Sequence, residues 1–160
     1  MTIAPKLRQF LDQNEAVYEL VEHPPTESAW RSAEACHIPP ARMAKAVLID
    51  TPAEQVLAVL PADRRIELDH LRIELGDKAH IAGERELAAT FDDCAPGAVP
   101  PIGAGYGVVT IVDAHLDREP DIYFEAGDHR TLVHVEGAEF ARLMRQARHG
   151  HFGTSLWATD

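Results

Sequence analysis

The chain is short of nucleophiles, thiols and cations. Only three serines occur in 160 residues, Ser28, Ser32 and Ser155, and none stands in a Gly-x-Ser-x-Gly turn, which disfavours the usual serine-hydrolase arrangement. The two cysteines, Cys36 and Cys94, lie far apart. They make neither a disulfide framework nor a metal knuckle, and they suit a reducing compartment. No His-Glu-x-x-His, Cys-x-x-Cys, phosphate-loop or dinucleotide fingerprint occurs, so zincins and nucleotide-binding enzymes are disfavoured as well. The nine histidines are mostly isolated, and His149-x-His151 reads as a solvated pair near the end. No metal and no cofactor is expected.

Long apolar runs are also missing. The longest, around 46–49 and 56–60, are far too short to span a bilayer. Met1 to Lys6 leads directly into a polar helix pattern without an apolar leader core, so a cytoplasmic protein with no membrane partner is expected. Positive charge is scarce: 15 Lys and Arg face 26 Asp and Glu, a net charge of −11. Grip on a long nucleic acid scales with the phosphates neutralised. DNA is therefore not an expected partner, and any RNA would be touched at a short end or delivered by a second protein.

What is present reads as one α+β domain. Leu7, Phe10 and Leu11 have helical spacing, predicting a helix over 5–14, and 17–22 alternates as a strand until Pro24-Pro25 stops it. Thr26 or Ser28 can cap a helix running through Cys36. Two strands, 44–50 and 55–60, form a hairpin. Asp69 is placed to cap a short helix closed by Gly76, and another follows over 84–91. Strands are expected over 107–112, 121–124 and 131–135, then a helix over 138–148 with Gly150 as its C-cap. Hairpins between helices imply a mixed, mostly antiparallel, barrel-like sheet flanked by helices. Residues 1–150 form the domain, and 151–160 are expected to be a flexible C-terminal tail.

The stretch Cys94 to Gly107 packs four glycines and three prolines into fourteen residues. Glycine lets backbone N–H groups approach a ligand, and proline removes freedom that would blur their aim. Such a loop is either a plain surface turn or a rigid set of donors around a carbonyl or a water. Lys45 stands alone in the otherwise uncharged stretch Met43–Ile49. It is either an outward lysine on an edge strand or a point charge for a phosphate or polarised carbonyl at a pocket mouth. His129, after Gly127-Asp128, is either a turn residue or a group that fixes a substrate's amino or carbonyl function. Cys94 could be a nucleophile, although the neighbouring Asp92 and Asp93 would raise its pKa.

Four elements in order carry a resemblance: His23-Pro24-Pro25, Ala44-Lys45-Ala46, Gly97-Ala-Val-Pro100-Pro101 and Gly127-Asp128-His129. Over roughly residues 5–148 the chain resembles the YbaK / prolyl-tRNA-synthetase-associated editing domain family of aminoacyl-tRNA deacylases. The resemblance implies a YbaK-like fold and hydrolysis of mischarged aminoacyl-tRNA by a substrate-assisted water, without metal or cofactor. It implies catalytic roles for Lys45 and Gly97, and substrate contacts from His129, Pro101, Gly103, Gly127 and His23. The implied partners are the tRNA acceptor 3′ end and a synthetase or elongation factor that delivers it. The loop reads Pro100-Pro101-Ile102 where many members carry Ser-Pro-Phe, which leaves the amino acid open. Two alternatives come from other classes: a non-catalytic module that holds an aminoacyl end or small molecule for a synthetase, and a hydrolase acting through Cys94.

Overall fold

The computed structural model describes residues 3–157. Pro5 opens α1 (Pro5–Gln13), where its missing N–H costs nothing and its φ is preset. Leu7 and Leu11, about one turn apart, are both fully buried. After β1 (Glu19–Glu22), Ser28 caps α2 (Ala29–Ala35) by accepting the Arg31 N–H at 3.2 Å. The hairpin of β2 (Met43–Asp50) and β3 (Gln55–Pro61) follows, paired from Ala44–Pro61 to Asp50–Gln55.

Then come β4 (Arg64–Ile66), α3 (Leu68–Leu75), β5 (His80–Ile81) and α4 (Glu84–Thr90). The second half holds β6 (Val109–Asp113), β7 (Asp121–Glu125), β8 (Thr131–Glu136), α5 (Gly137–Leu143), β9 (Arg148–Gly150) and β10 (Gly153–Ser155). The main sheet runs β1-β8-β7-β2-β3-β6-β9, with β5 added beside β2; β4 and β10 form a separate ribbon. Pairings β2–β7, β3–β6 and β6–β9 are parallel and the others antiparallel. This is a single α+β domain, a mixed sheet with helices packed around it.

Central position explains the apolar run of β3. Leu57 and Val59 enter a core shared with α1 and α5, while Val56, Ala58 and Leu60 enter a second core with Leu71 and Phe152. A strand covered on both faces has no polar side to show.

Three expectations fail, two of them in the terminal segment and one at α3. The last helix ends at Leu143 instead of reaching Arg148, and Gly150 is a buried residue of β9 rather than a C-cap. The flexible tail is not seen over 151–157: β10 pairs with β4, and Phe152 is 1 % exposed. Residues 158–160 lie outside the described residues. Asp69 is not the cap of α3, since Glu67 holds that position and its N–H donates to the Phe152 carbonyl at 2.7 Å. The organiser is Asp113, whose Oδ2 accepts the N–H groups of Phe152 at 3.0 Å and Gly153 at 2.5 Å. Those bonds draw the terminal segment onto the sheet and seat Phe152 in the second core. Phe152→Ala is expected to cost about 3–5 kcal/mol in urea unfolding. A loss below about 1 kcal/mol, within the range of surface substitutions, would return the segment to the status of a loose tail.

Candidate functional site

The β2 strand carries Lys45 into a cleft of about 200 Å³ lined also by Glu27, Ser28, Gly97, Val99 and Glu125. Among the described residues no hydrogen bond or ion pair reaches the ammonium. Burial lowers the Lys45 pKa, and the charge of Asp63 opposes that shift only in part. An unpaired, partly desolvated cation is a strong attractor for a phosphate or an oxyanion.

The far wall is the glycine-proline loop. Gly97 has φ +80°, a left-handed conformation that glycine adopts without strain, and it is exposed. Its N–H has no hydrogen-bond partner among the described residues, so it remains available as a donor. A second cleft of about 580 Å³, lined by Arg85, Phe91, Cys94 and Pro96, adjoins the first through Leu87, Gly97 and Val99.

The turn after β7 is fastened to this loop. Ala95 N–H donates to the Gly127 carbonyl at 2.8 Å, and His129 Nε2 contacts the Pro96 carbonyl oxygen. Asp128 Oδ1 accepts the N–H groups of Arg130 at 2.9 Å and Thr131 at 2.8 Å, which shapes the turn and sets His129 at φ +60°. The His129 ring then lies against Gly97, where an added Cβ would come within 3.2 Å of Cε1.

The structure thus brings Lys45, Gly97, Gly127 and His129 to one end of the sheet. His23 sits deeper: its ring is buried, with Nε2 3.3 Å from Glu125 Oε1. Pro101 and Gly103 are also buried, and Gly103 backs the loop, with its Cα face against Thr110 Oγ1 and the Val108 carbonyl.

Residues 23–143 match the family profile of the aminoacyl-tRNA editing domain. The chain belongs to that family. Solved structures share the fold of this editing domain across nearly its whole length. One is the hypothetical protein APE2540, at 17% identity and TM-score 0.82, covering 93% of this chain and 99% of that one. Another is a candidate trans-editing enzyme for prolyl-tRNA synthetase, at 20% identity and TM-score 0.81, covering 95% and 97%. A third is a candidate signal transduction protein from Marinobacter aquaeolei VT8, at 18% identity and TM-score 0.76; the match covers 94% of this chain but 30% of that one. Curated proteins yield no match.

Within the editing domain Cys94 is a poor nucleophile. Burial, with the adjacent Asp93 carboxylate, pushes its thiol up to about 12 although Tyr106 bonds to the sulfur. Among the described residues no group of His, Cys, Asp and Glu is placed to hold a metal ion, and no helix is long and apolar enough to cross a membrane. Sequence reasoning missed Glu125. It ends β7, lines the cleft, and is buried at 3 % exposure between His23, His129 and Ser32. A glutamate closing a strand beside Gly127 carries no signal of burial.

Proposed function

We propose that this editing domain is a trans-editing deacylase that hydrolyses the ester of mischarged tRNA. The observation that carries the reading is the meeting of an unpaired Lys45 ammonium and the unspent Gly97 N–H across one small cleft. Lys45 holds the phosphate of the terminal adenosine. The Gly97 loop positions the attacked carbonyl and the water, and His129 contacts the amino acid. The ribose hydroxyl next to the ester assists the water, so the protein supplies position and electrostatics and needs no nucleophile of its own. An activated ester asks for little more: one well-aimed donor to a developing oxyanion is worth roughly 3–4 kcal/mol.

A separate editing site answers a physical limit, because one methylene in a binding pocket discriminates by only about 1–3 kcal/mol. The solved trans-editing relative points to tRNA aminoacylated by a prolyl-tRNA synthetase as the first substrate to try. A cleft of about 200 Å³ favours small side chains such as that of alanine. With a net charge of −11 the protein makes contact confined to the acceptor end, and a synthetase or elongation factor supplies the remaining affinity.

The decisive assay is deacylation of a panel of correctly and incorrectly charged tRNAs. Selective loss of one mischarged species is expected. No hydrolysis by folded protein would leave a module that binds aminoacyl ends without turning them over. Cys94→Ser is expected to retain the wild-type rate within about twofold, since a thiol held neutral near pH 7 is not an attacking group; a loss of several orders of magnitude would restore covalent catalysis.

A further inference from the structure

Glu125 has one oxygen held and one left open. Oε1 accepts from Ser32 Oγ at 3.0 Å and lies 3.3 Å from His23 Nε2, and Ser32 is braced in turn by Thr26 Oγ1 at 2.5 Å. Among the described residues Oε2 is buried without a hydrogen-bond partner, and so is His129 Nδ1, 3.9 Å away. The other nitrogen of that ring decides what Nδ1 offers. His129 Nε2 contacts the Pro96 carbonyl oxygen; a carbonyl only accepts, so Nε2 carries the hydrogen and Nδ1 of the neutral ring presents a lone pair. Burial raises the Glu125 pKa although Ser32, His23 and His129 oppose the shift, so the charged carboxylate with Oε2 unmet is costly as it stands. A group that brings a positive charge, donates several hydrogens and accepts none would relieve it.

Lys45 does not fill that role: no hydrogen bond or ion pair joins it to Glu125, and the negative charge acting on it is that of Asp63. Glu125 nevertheless forms part of the wall of the same cleft. A ligand there can therefore reach Lys45 with an anionic end, and Glu125 with a cationic one once the carboxyl, closed to solvent as it stands, turns toward the cleft. An aminoacyl ester of a nucleotide has both, a phosphate and a free α-ammonium.

We propose that Glu125 Oε2, together with His129 Nδ1, receives the α-ammonium of the esterified amino acid, so that the site selects esters with a free amine. Ser32 is a positioning residue: it holds Oε1, beside His23 Nε2, and so aims Oε2. This rests on the cleft taking an aminoacyl end. It adds a chemical class that is turned away: N-acylated esters, including formylated and peptidyl ones, lose the cation and bring a carbonyl acceptor toward two acceptors.

The test is calorimetric binding of 3′-alanylamino-3′-deoxyadenosine 5′-phosphate, whose amide cannot be deacylated like the ester, and of its N-acetyl derivative. Wild type is expected to prefer the free amine by about 30-fold or more, the lower range for an unpaired buried charge. Glu125→Gln keeps the volume, keeps an acceptor for Ser32 and gives His129 Nδ1 an N–H, so it folds; it is expected to bind both compounds alike. A purely structural glutamate would weaken both compounds together and leave their ratio unchanged. Equal binding of the two compounds by wild type, binding of neither, or a preference kept in Glu125→Gln would overturn the proposal. Selective binding without hydrolysis of any charged tRNA would sink the deacylase reading and leave this one standing. Hydrolysis indifferent to N-acetylation would do the reverse.

Discussion

Lys45→Ala is expected to lower kcat/KM for the mischarged ester by at least about 100-fold, at a melting temperature equal to or above that of wild type. Removing one partner of a desolvated charge pair costs roughly 2–5 kcal/mol, and about 2.7 kcal/mol is already a factor of 100. Stability moves the other way. Burial lowers the Lys45 pKa in the folded protein, so between that lowered value and the ordinary one the unfolded chain binds more protons. Stability then rises with pH through this window, and below it the buried charge is a cost that alanine removes.

The same shift sets a pH limit on binding. On the proposed reading, the ammonium that grips phosphate is lost as pH rises through the lowered pKa, earlier than for a free lysine. The split between constants is informative. A phosphate contact made equally in ground and transition states raises KM, whereas a contact that aims the ester also lowers kcat. Both are read from deacylation kinetics beside a thermal melt. An unchanged kcat/KM in a folded variant would remove Lys45 from the mechanism.

Lys45 is legible as a candidate because a lone charge inside an apolar strand is a local contradiction, which invites a functional reading. The Gly97 loop and the Gly127–His129 turn were legible because they require backbone conformations that few residues adopt. The cluster around Glu125 was not. Ser32 and Glu125 are 93 positions apart, and nothing in either segment announces the other. The terminal segment was misread for a similar reason. Phe152 is one aromatic among polar residues, and its burial depends on the Asp113 carboxylate, which is remote in sequence. Periodicity reports which face of an element is apolar. It says nothing about which distant polar group satisfies a given N–H.

Gly97→Ala is expected to lower kcat/KM by roughly 100- to 1,000-fold, the loss that follows when an oxyanion donor is removed. Two effects act together. At φ +80° an alanine pays about 1–2 kcal/mol in backbone strain. Its Cβ would also stand 3.2 Å from His129 Cε1 and 3.5 Å from the Glu27 carbonyl oxygen. The first contact is tight, and the ring cannot yield freely, because Nε2 is held by the Pro96 carbonyl and Nδ1 faces Glu125. Loop and ring shift together, and the Gly97 N–H loses its aim. Strain alone leaves most molecules of a domain stable by several kcal/mol folded, so lost activity would not reflect unfolding. Gly107 supplies the control: at φ +70° alanine is strained there as well, yet its Cβ would meet nothing within 4 Å. Gly107→Ala should melt lower by a similar amount and keep its activity. Equal activities for the two variants would mean that the backbone at Gly97 does not aim the reacting groups, and that the loop is only a wall.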